Sequence, residues 1–152
     1  MSYKNYTPVD VAITPSDAAY TANDVVGGLL TLAMPRDCGF IHGVIVSVGE
    51  ASITLAGTIY FYSAAPTSFA DNAAFAPVHT DNEKLLGYYT LPTALTLNSR
   101  SVYVAIAAGS NAFAKIPFGV GTVYAYYVTT DTPNFTGAAQ DVNLRVLIET
   151  ER

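Results

Sequence analysis

The 152-residue chain is expected to be all-β: one antiparallel β-sandwich of jelly-roll type, with about eight strands and one or two short helical turns. Three observations predict it. Half of the residues, 51%, are hydrophobic, and they recur in the two-residue alternation of half-buried strands. The segments between these runs are rich in Gly, Pro, Asn, Asp and Ser, the residues that β-turns require. The runs are short and evenly spaced, as in sandwiches and rolls rather than in helix–strand alternations.

The elements follow in order along the chain. Val9 to Ile13 alternates and stops at Thr14-Pro15, and Gly28 to Met34 stops at Pro35. Phe40 to Val48 reads as a strand with Phe40, His42, Val44, Val46 and Val48 on one face and Ile41, Gly43, Ile45 and Ser47 on the other. Ile53 to Tyr62 is the richest in β-branched and aromatic residues. Leu85 to Leu91, Ser101 to Ala107 and Thr122 to Thr130 come next. Val142 to Glu149 sets Val142, Leu144, Val146 and Ile148 against Asn143, Arg145, Leu147 and Glu149, one face for a core and one turned outward. Phe113 to Phe118 is a further short segment that Pro117 confines to an edge. Helical turns are expected at Ser68 to Phe75, where capping residues flank alanines, and at Asp17 to Tyr20.

Size suits a single domain able to bury its own core. Residues 1–8, polar and aromatic and ending at Pro8, read as an N-terminal arm, and residues 9–152 as the sandwich. The start of the chain, Met1-Ser-Tyr-Lys-Asn-Tyr6, lacks the apolar stretch of a signal peptide, and no apolar run approaches the roughly 18 residues of a membrane helix. Synthesis and use in a cytosol are therefore expected, with no membrane partner. Cys38 is the only cysteine, which excludes an intrachain disulfide, and it is expected as a small buried thiol beside a strand. A net charge of −5, with basic residues scattered along the chain, argues against a nucleic-acid partner.

No constellation for catalysis emerges, and no enzyme activity, cofactor or metal is expected. A metal centre on such a scaffold needs several histidines with a carboxylate. Only His42 and His79 exist, the first expected as a hydrogen-bonded structural residue in a strand, the second as a solvated loop residue. There is no Gly-x-Ser-x-Gly elbow, and Gly27-Gly28 and Gly119-Val-Gly121 lack the following helix and Lys-Ser/Thr of a phosphate loop. Asp17, Asp24, Asp71, Asp81, Asp131 and Asp141 fall at turn-like positions, where a carboxylate caps and bends the backbone.

What stands out is surface chemistry. Charged residues are only 12% of the chain, against about 25% in an ordinary soluble domain. There are 11 Tyr and 7 Phe, and Tyr60-Phe-Tyr62, Tyr88-Tyr89 and Tyr124-Ala-Tyr-Tyr127 place aromatics on both faces of their strands. One face of each belongs to the core, and the other is expected at an interface, where tyrosine's large ring and polar tip are favoured. Tyr3, Tyr6, Tyr60, Tyr62, Tyr88, Tyr124 and Tyr126 are the candidate interface residues. The same tyrosines suit stacking on sugars, which leaves a carbohydrate-binding reading open.

The order of several phrases along the chain resembles that of a known class. Tyr20-Thr-Ala-Asn-Asp-Val-Val-Gly-Gly28, Cys38-Gly-Phe-Ile-His-Gly-Val-Ile-Val46, Ile59-Tyr-Phe-Tyr-Ser-Ala-Ala-Pro-Thr67 with Asp71-Asn-Ala-Ala-Phe75, and Val123-Tyr-Ala-Tyr-Tyr-Val-Thr-Thr130 resemble small structural proteins of tailed bacteriophages. The chain looks like the capsid decoration, or cement, class, from about Asp10 to Glu149. The resemblance implies a virion protein that binds the outside of an icosahedral capsid and bridges neighbouring capsomers. It would be made in the bacterial host cytoplasm. Its implied partners are the major capsid protein and further copies of itself, with a trimer favoured over a dimer. A tail or receptor-binding component with tyrosine-mediated sugar binding is the alternative. The resemblance carries over no functional residues.

Overall fold

The computed structural model describes residues 4–91, 94–107, 114–138 and 141–151. Its elements in chain order are β1 (Lys4–Ile13), β2 (Val25–Ala33), β3 (Gly39–Val48), β4 (Gly57–Tyr62), a single helical turn α1 (His79–Asn82), β5 (Leu85–Leu91), β6 (Leu95–Leu97), β7 (Arg100–Ile106), β8 (Ile116–Phe118), β9 (Thr122–Thr129) and β10 (Val142–Glu151). One sheet runs β1-β10-β3-β7-β6, with β8 also paired to β3, and the other runs β2-β9-β4-β5. Every pairing is antiparallel.

The eight longer strands pair as a rolled hairpin. The first lies beside the last (β1 with β10), the second beside the second-last (β2 with β9), then β3 with β7 and β4 with β5. Rolling that hairpin brings β10 against β3 and β9 against β4, which divides the strands into two sheets. This is a jelly roll. The short strands β6 and β8 are additions to one sheet.

The two inner faces meet in a core that includes Leu32, Ile41, Val44, Val46, Ile59, Phe61, Leu144 and Ile148, all fully buried. Burying such side chains contributes about 1.5–3 kcal/mol each. Tyrosines close the ends of this layer, because a buried phenol needs a polar partner for its tip. Tyr103 accepts from the Leu55 N–H at 2.7 Å, and Tyr127 donates to the Leu55 carbonyl. Tyr89 donates to the Ile41 and Ala114 carbonyls at 2.9 and 3.0 Å. These bonds explain why residues 53–56, expected as part of a strand, lie outside β4 although Ile53 and Leu55 are buried. The Leu55 backbone is held by tyrosine tips, and that of Ala56 by the Asp131 carboxylate and the Thr130 N–H.

Three local expectations are corrected. Leu147 is opposite Gly43 and Ile148 opposite Ile41, so His42 is the extra residue of a β-bulge. The strict alternation expected for β3 therefore breaks: Ile41 joins Val44, Val46 and Val48 in the core, while Phe40 and His42 turn outward with Ile45. The expected helical turns over 68–75 and 17–20 are irregular instead, and the one helical turn among the described residues is at 79–82. Asp81 makes it by accepting from the Val78 N–H at 3.1 Å, the reach-back half of a capping box. Cys38 is exposed, in the turn between β2 and β3.

From Lys4 onward the segment expected as an arm is the first half of β1, with Tyr6 opposite Glu149 and Pro8 opposite Leu147. As β1 is a sheet edge, proline's missing N–H is tolerated there. The edge strand expected around Pro117 is β8, whereas Phe113 lies outside the described residues.

Candidate functional site

The sandwich has two outer faces, and the chain treats them differently. On the four-stranded sheet, Thr58, Tyr60 and Tyr62 of β4 alternate with the inward Ile59 and Phe61, and Tyr124 and Tyr126 of β9 alternate with Ala125 and Tyr127. This is the aromatic face expected at an interface. The β4–β5 connection, residues 63–84, folds back over it instead. Phe69 and Phe75 descend onto Tyr60, Tyr62 and Tyr126 to make a second small core with Val25 and Val128. Phe75 stacks on Tyr60 with ring centroids 5.0 Å apart, and Phe69 meets Tyr126 edge-on at 5.6 Å.

Polar pins hold this cover down. The Tyr126 hydroxyl accepts from the Phe69 N–H and donates to the Thr67 carbonyl, both at 3.0 Å. Asp81 accepts from the Thr67 N–H at 2.8 Å, and Lys84 lies 3.6 Å from it. Burial alone would raise the Asp81 carboxyl, but the Thr67 and Val78 donors and the Lys84 charge outweigh it and hold the group below its ordinary value. Asp71 ties the cover to the β1–β2 connection. Its carboxylate accepts from the Gly27 N–H at 2.6 Å, the Ser16 N–H at 2.8 Å and the Tyr20 hydroxyl at 2.7 and 2.8 Å. Gly27 can present that N–H because its φ of 78° lies in the left-handed region.

Of the candidate interface tyrosines, Tyr62 and Tyr126 are thus corrected to core residues, at 3% and 0% exposure. Tyr60 and Tyr124 are half-buried against the second core. Tyr88 at 58% and Tyr6 at 53% are exposed, and Tyr3 lies outside the described residues.

The outer face of the six-stranded sheet has no such cover among the described residues, and it is largely aliphatic, with Ser47, Asn143 and the Asp10–Arg145 pair among the apolar side chains. Cross-strand partners point to the same side. Ile45 is opposite Val104 and Arg145, Gly43 opposite Ile106 and Leu147, and Leu95 opposite Val102, while Leu97 is opposite Arg100. Leu95 and Leu97 are among the most exposed large apolar side chains, at 60% and 53%, with Val104 at 40%. Between Asp10, Ile45, Val102 and Arg145 the face dips into a shallow depression of about 250 Å³. These aliphatic residues were missed as candidates because attention fell on aromatics. The signal was present: Val102, Val104 and Ile106 alternate with the inward Tyr103 and Ala105, so β7 is apolar on both sides.

The charges on this face are paired. Arg145 donates to Asp10 through Nε at 2.7 Å and through its terminal nitrogen at 3.0 Å, which holds the Asp10 carboxyl below its ordinary value. Lys115 donates to Glu149 at 2.5 Å, and Arg100 lies 3.4 Å from Asp141. His42 joins the Lys115–Glu149 pair, with Nδ1 3.4 Å from the Glu149 carboxylate but not in hydrogen-bonding geometry, and Tyr6 lies edge-on to its ring at 5.2 Å. The hydrogen-bonded histidine expected there is thus an ion-pair neighbour.

His79 begins α1, in the segment that covers the opposite sheet, so the two histidines lie on opposite sides of the sandwich. Among the described residues no three of His, Cys, Asp and Glu are grouped to hold a metal. The turn aspartates do cap backbone: Asp17 accepts from the Gly137 N–H, Asp24 from Thr21, and Asp131 from the Ala56 N–H. No helix among the described residues is long and apolar enough to cross a membrane. No protein-family model, curated protein or solved structure matches the chain.

Proposed function

We propose that this chain is a structural subunit of a bacteriophage particle, a decoration protein that binds the outside of the capsid and stabilises contacts between capsomers. The observation that carries the reading is the uncovered apolar face of the six-stranded sheet, from Leu147 across Ile45 to Val104 and Leu95. A freely diffusing domain rarely exposes a contiguous apolar sheet face, and one that does is read as an interaction site. The low charge of the chain, 12%, and the paired charges on that face point the same way, because a surface buried in an assembly has little use for solvated charge.

The major capsid protein and further copies of this chain are the proposed partners. The proposal rests on the phrase resemblance together with this face, and it assigns no catalytic residue, cofactor or metal. The test is the stoichiometry of purified particles by quantitative mass spectrometry, with cryo-microscopy to locate the density. Hundreds of copies on the shell are expected. A few copies at the tail would overturn the capsid reading and favour the tail component, whose sugar platform would be Tyr88 beside the groove of Leu86, Ile116 and Pro117, and no copies at all would overturn both.

A further inference from the structure

We propose that the outer face of the six-stranded sheet is a self-complementary interface through which two copies of this chain pack face to face about a two-fold axis. This deepens the structural-subunit reading by naming the first partner of the same face. The inference comes from charge, shape and area.

Charge decides where copies can approach each other. Among the described residues, the ion pairs Asp10–Arg145, Glu149–Lys115 and Arg100–Asp141 balance on and around this face. Away from it the described residues carry eight acidic side chains (Asp17, Asp24, Asp37, Glu50, Asp71, Asp81, Glu83, Asp131) against Arg36 and Lys84. Two copies that meet through a side carrying those acids bring like charge together, which disfavours association. Through this face they meet aliphatic side chains among charges that are already paired.

The same face is also able to match itself. Asp10 and Arg145 pair within one copy in adjacent strands, and they line the depression together with Ile45, Ser47, Val102 and Asn143. Two-fold symmetry requires that residue i of one copy contact residue j of the other and the reverse. A broad aliphatic face meets that requirement about an axis that crosses the strands, because each strand then lies over its own copy and the side chains of β3, β7 and β6 pack against the same strands of the partner. A trimer needs two different complementary patches on each copy. The described residues offer one broad apolar face, so a dimer replaces the trimer expected from the resemblance.

Area is sufficient. Five strands at about 4.8 Å spacing and a length of about 23 Å for the seven residues of β7 give about 550 Å² of flat face per copy, or about 1,100 Å² for two. A specific interface needs about 1,000 Å² or more in total. Two twisted sheets placed face to face, about 10 Å apart, interdigitate side chains as the sandwich itself does.

The test is sedimentation equilibrium of the full chain with three variants, each checked for native circular dichroism. The wild type is expected at twice 16.1 kDa at micromolar concentration. Val104→Lys, at an exposed site in the centre of the face, is expected to weaken self-association at least 100-fold, and Leu97→Ser at least 10-fold. Tyr88→Ser, on the other sheet, is expected to leave it unchanged. A wild type that stays monomeric at 100 µM, a trimer, a Val104→Lys dimer, or dissociation by Tyr88→Ser would overturn the proposal. The outcomes are separable from the function above: a dimer absent from purified particles refutes the decoration reading alone, and a decorating monomer refutes the dimer alone.

Discussion

Replacing Asp71 by alanine is the perturbation that most directly probes how the cover is held. The carboxylate accepts from Gly27, Ser16 and Tyr20. Ser16 is exposed, and its N–H keeps the Tyr20 hydroxyl as a partner at 2.8 Å, so its loss is small. The part-buried Gly27 N–H is stranded, and the Tyr20 hydroxyl exchanges a charged acceptor for the weaker Ser16 hydroxyl at 3.1 Å. A hydrogen bond to a charged group contributes about 1.5–3 kcal/mol. Two such bonds at a half-buried carboxylate give a loss of about 3 kcal/mol. With an unfolding entropy of about 0.3 kcal/mol/K for a chain of this length, that lowers Tm by about 9 °C. Calorimetry measures the drop directly. A double-mutant cycle with Tyr20→Phe should show coupling of about 1 kcal/mol or more, because the two substitutions remove the same bond. Limited proteolysis should also cut first within residues 63–84, as the cover loosens from the second core. A Tm loss under about 3 °C, or fully additive effects of the two substitutions, would refute the assignment of Asp71 as the pin.

Three further outcomes follow from the same geometry. Gly57→Ala in the central strand β4 puts a Cβ 2.6 Å from the Tyr127 ring and against the Val128 carbonyl oxygen, so a loss of about 3 kcal/mol in urea unfolding is expected. Burial, first of all, pushes Tyr20, Tyr62 and Tyr89 up to about 12. Their folded values lie above the unfolded value of about 10, so the stability they confer is complete below pH 10 and is lost as pH rises towards 12. Absorbance at 295 nm should show these phenols un-ionised at pH 11 while the chain is folded, then released together on unfolding. Asp81 has the opposite sign: its folded value is lowered, so its contribution is present above about pH 4 and falls away as pH drops further. Asp81→Asn should flatten the acid limb of a Tm-against-pH profile, and an unchanged limb would show that the Thr67 and Val78 bonds do not favour the ionised carboxylate.

The strands were legible because alternation is a direct imprint of a half-buried sheet. Leu85 to Leu91 and Val142 to Glu149 coincide with β5 and with most of β10, and in the second the inward side of Val142, Leu144, Val146 and Ile148 holds too. The bulge at His42 was not legible, since an inserted residue is visible only against the partner strand that skips it. The helical turn was misplaced because Asp81 caps it from within, three residues past Val78, whereas the alanines near Phe75 have no such partner. Cys38 was misread because a free cysteine beside a strand is usually buried, yet it precedes β3 in an open turn.

For the functional surface, the sequence by itself determined that a β-sandwich poor in charge must have apolar or aromatic residues on outward faces. That follows from composition and from a period of two. Which outward face remains uncovered was decided only in three dimensions. The 63–84 connection spends Phe69 and Phe75 on the tyrosine face, and the tips of Tyr126 and Tyr20 become anchors for its backbone and for Asp71. The aliphatic face of Ile45, Val102 and Val104 is left as the surface on offer. Alternation records that a residue points out of its own sheet, but whether a distant loop lies over it depends on contacts across the chain that no local pattern encodes.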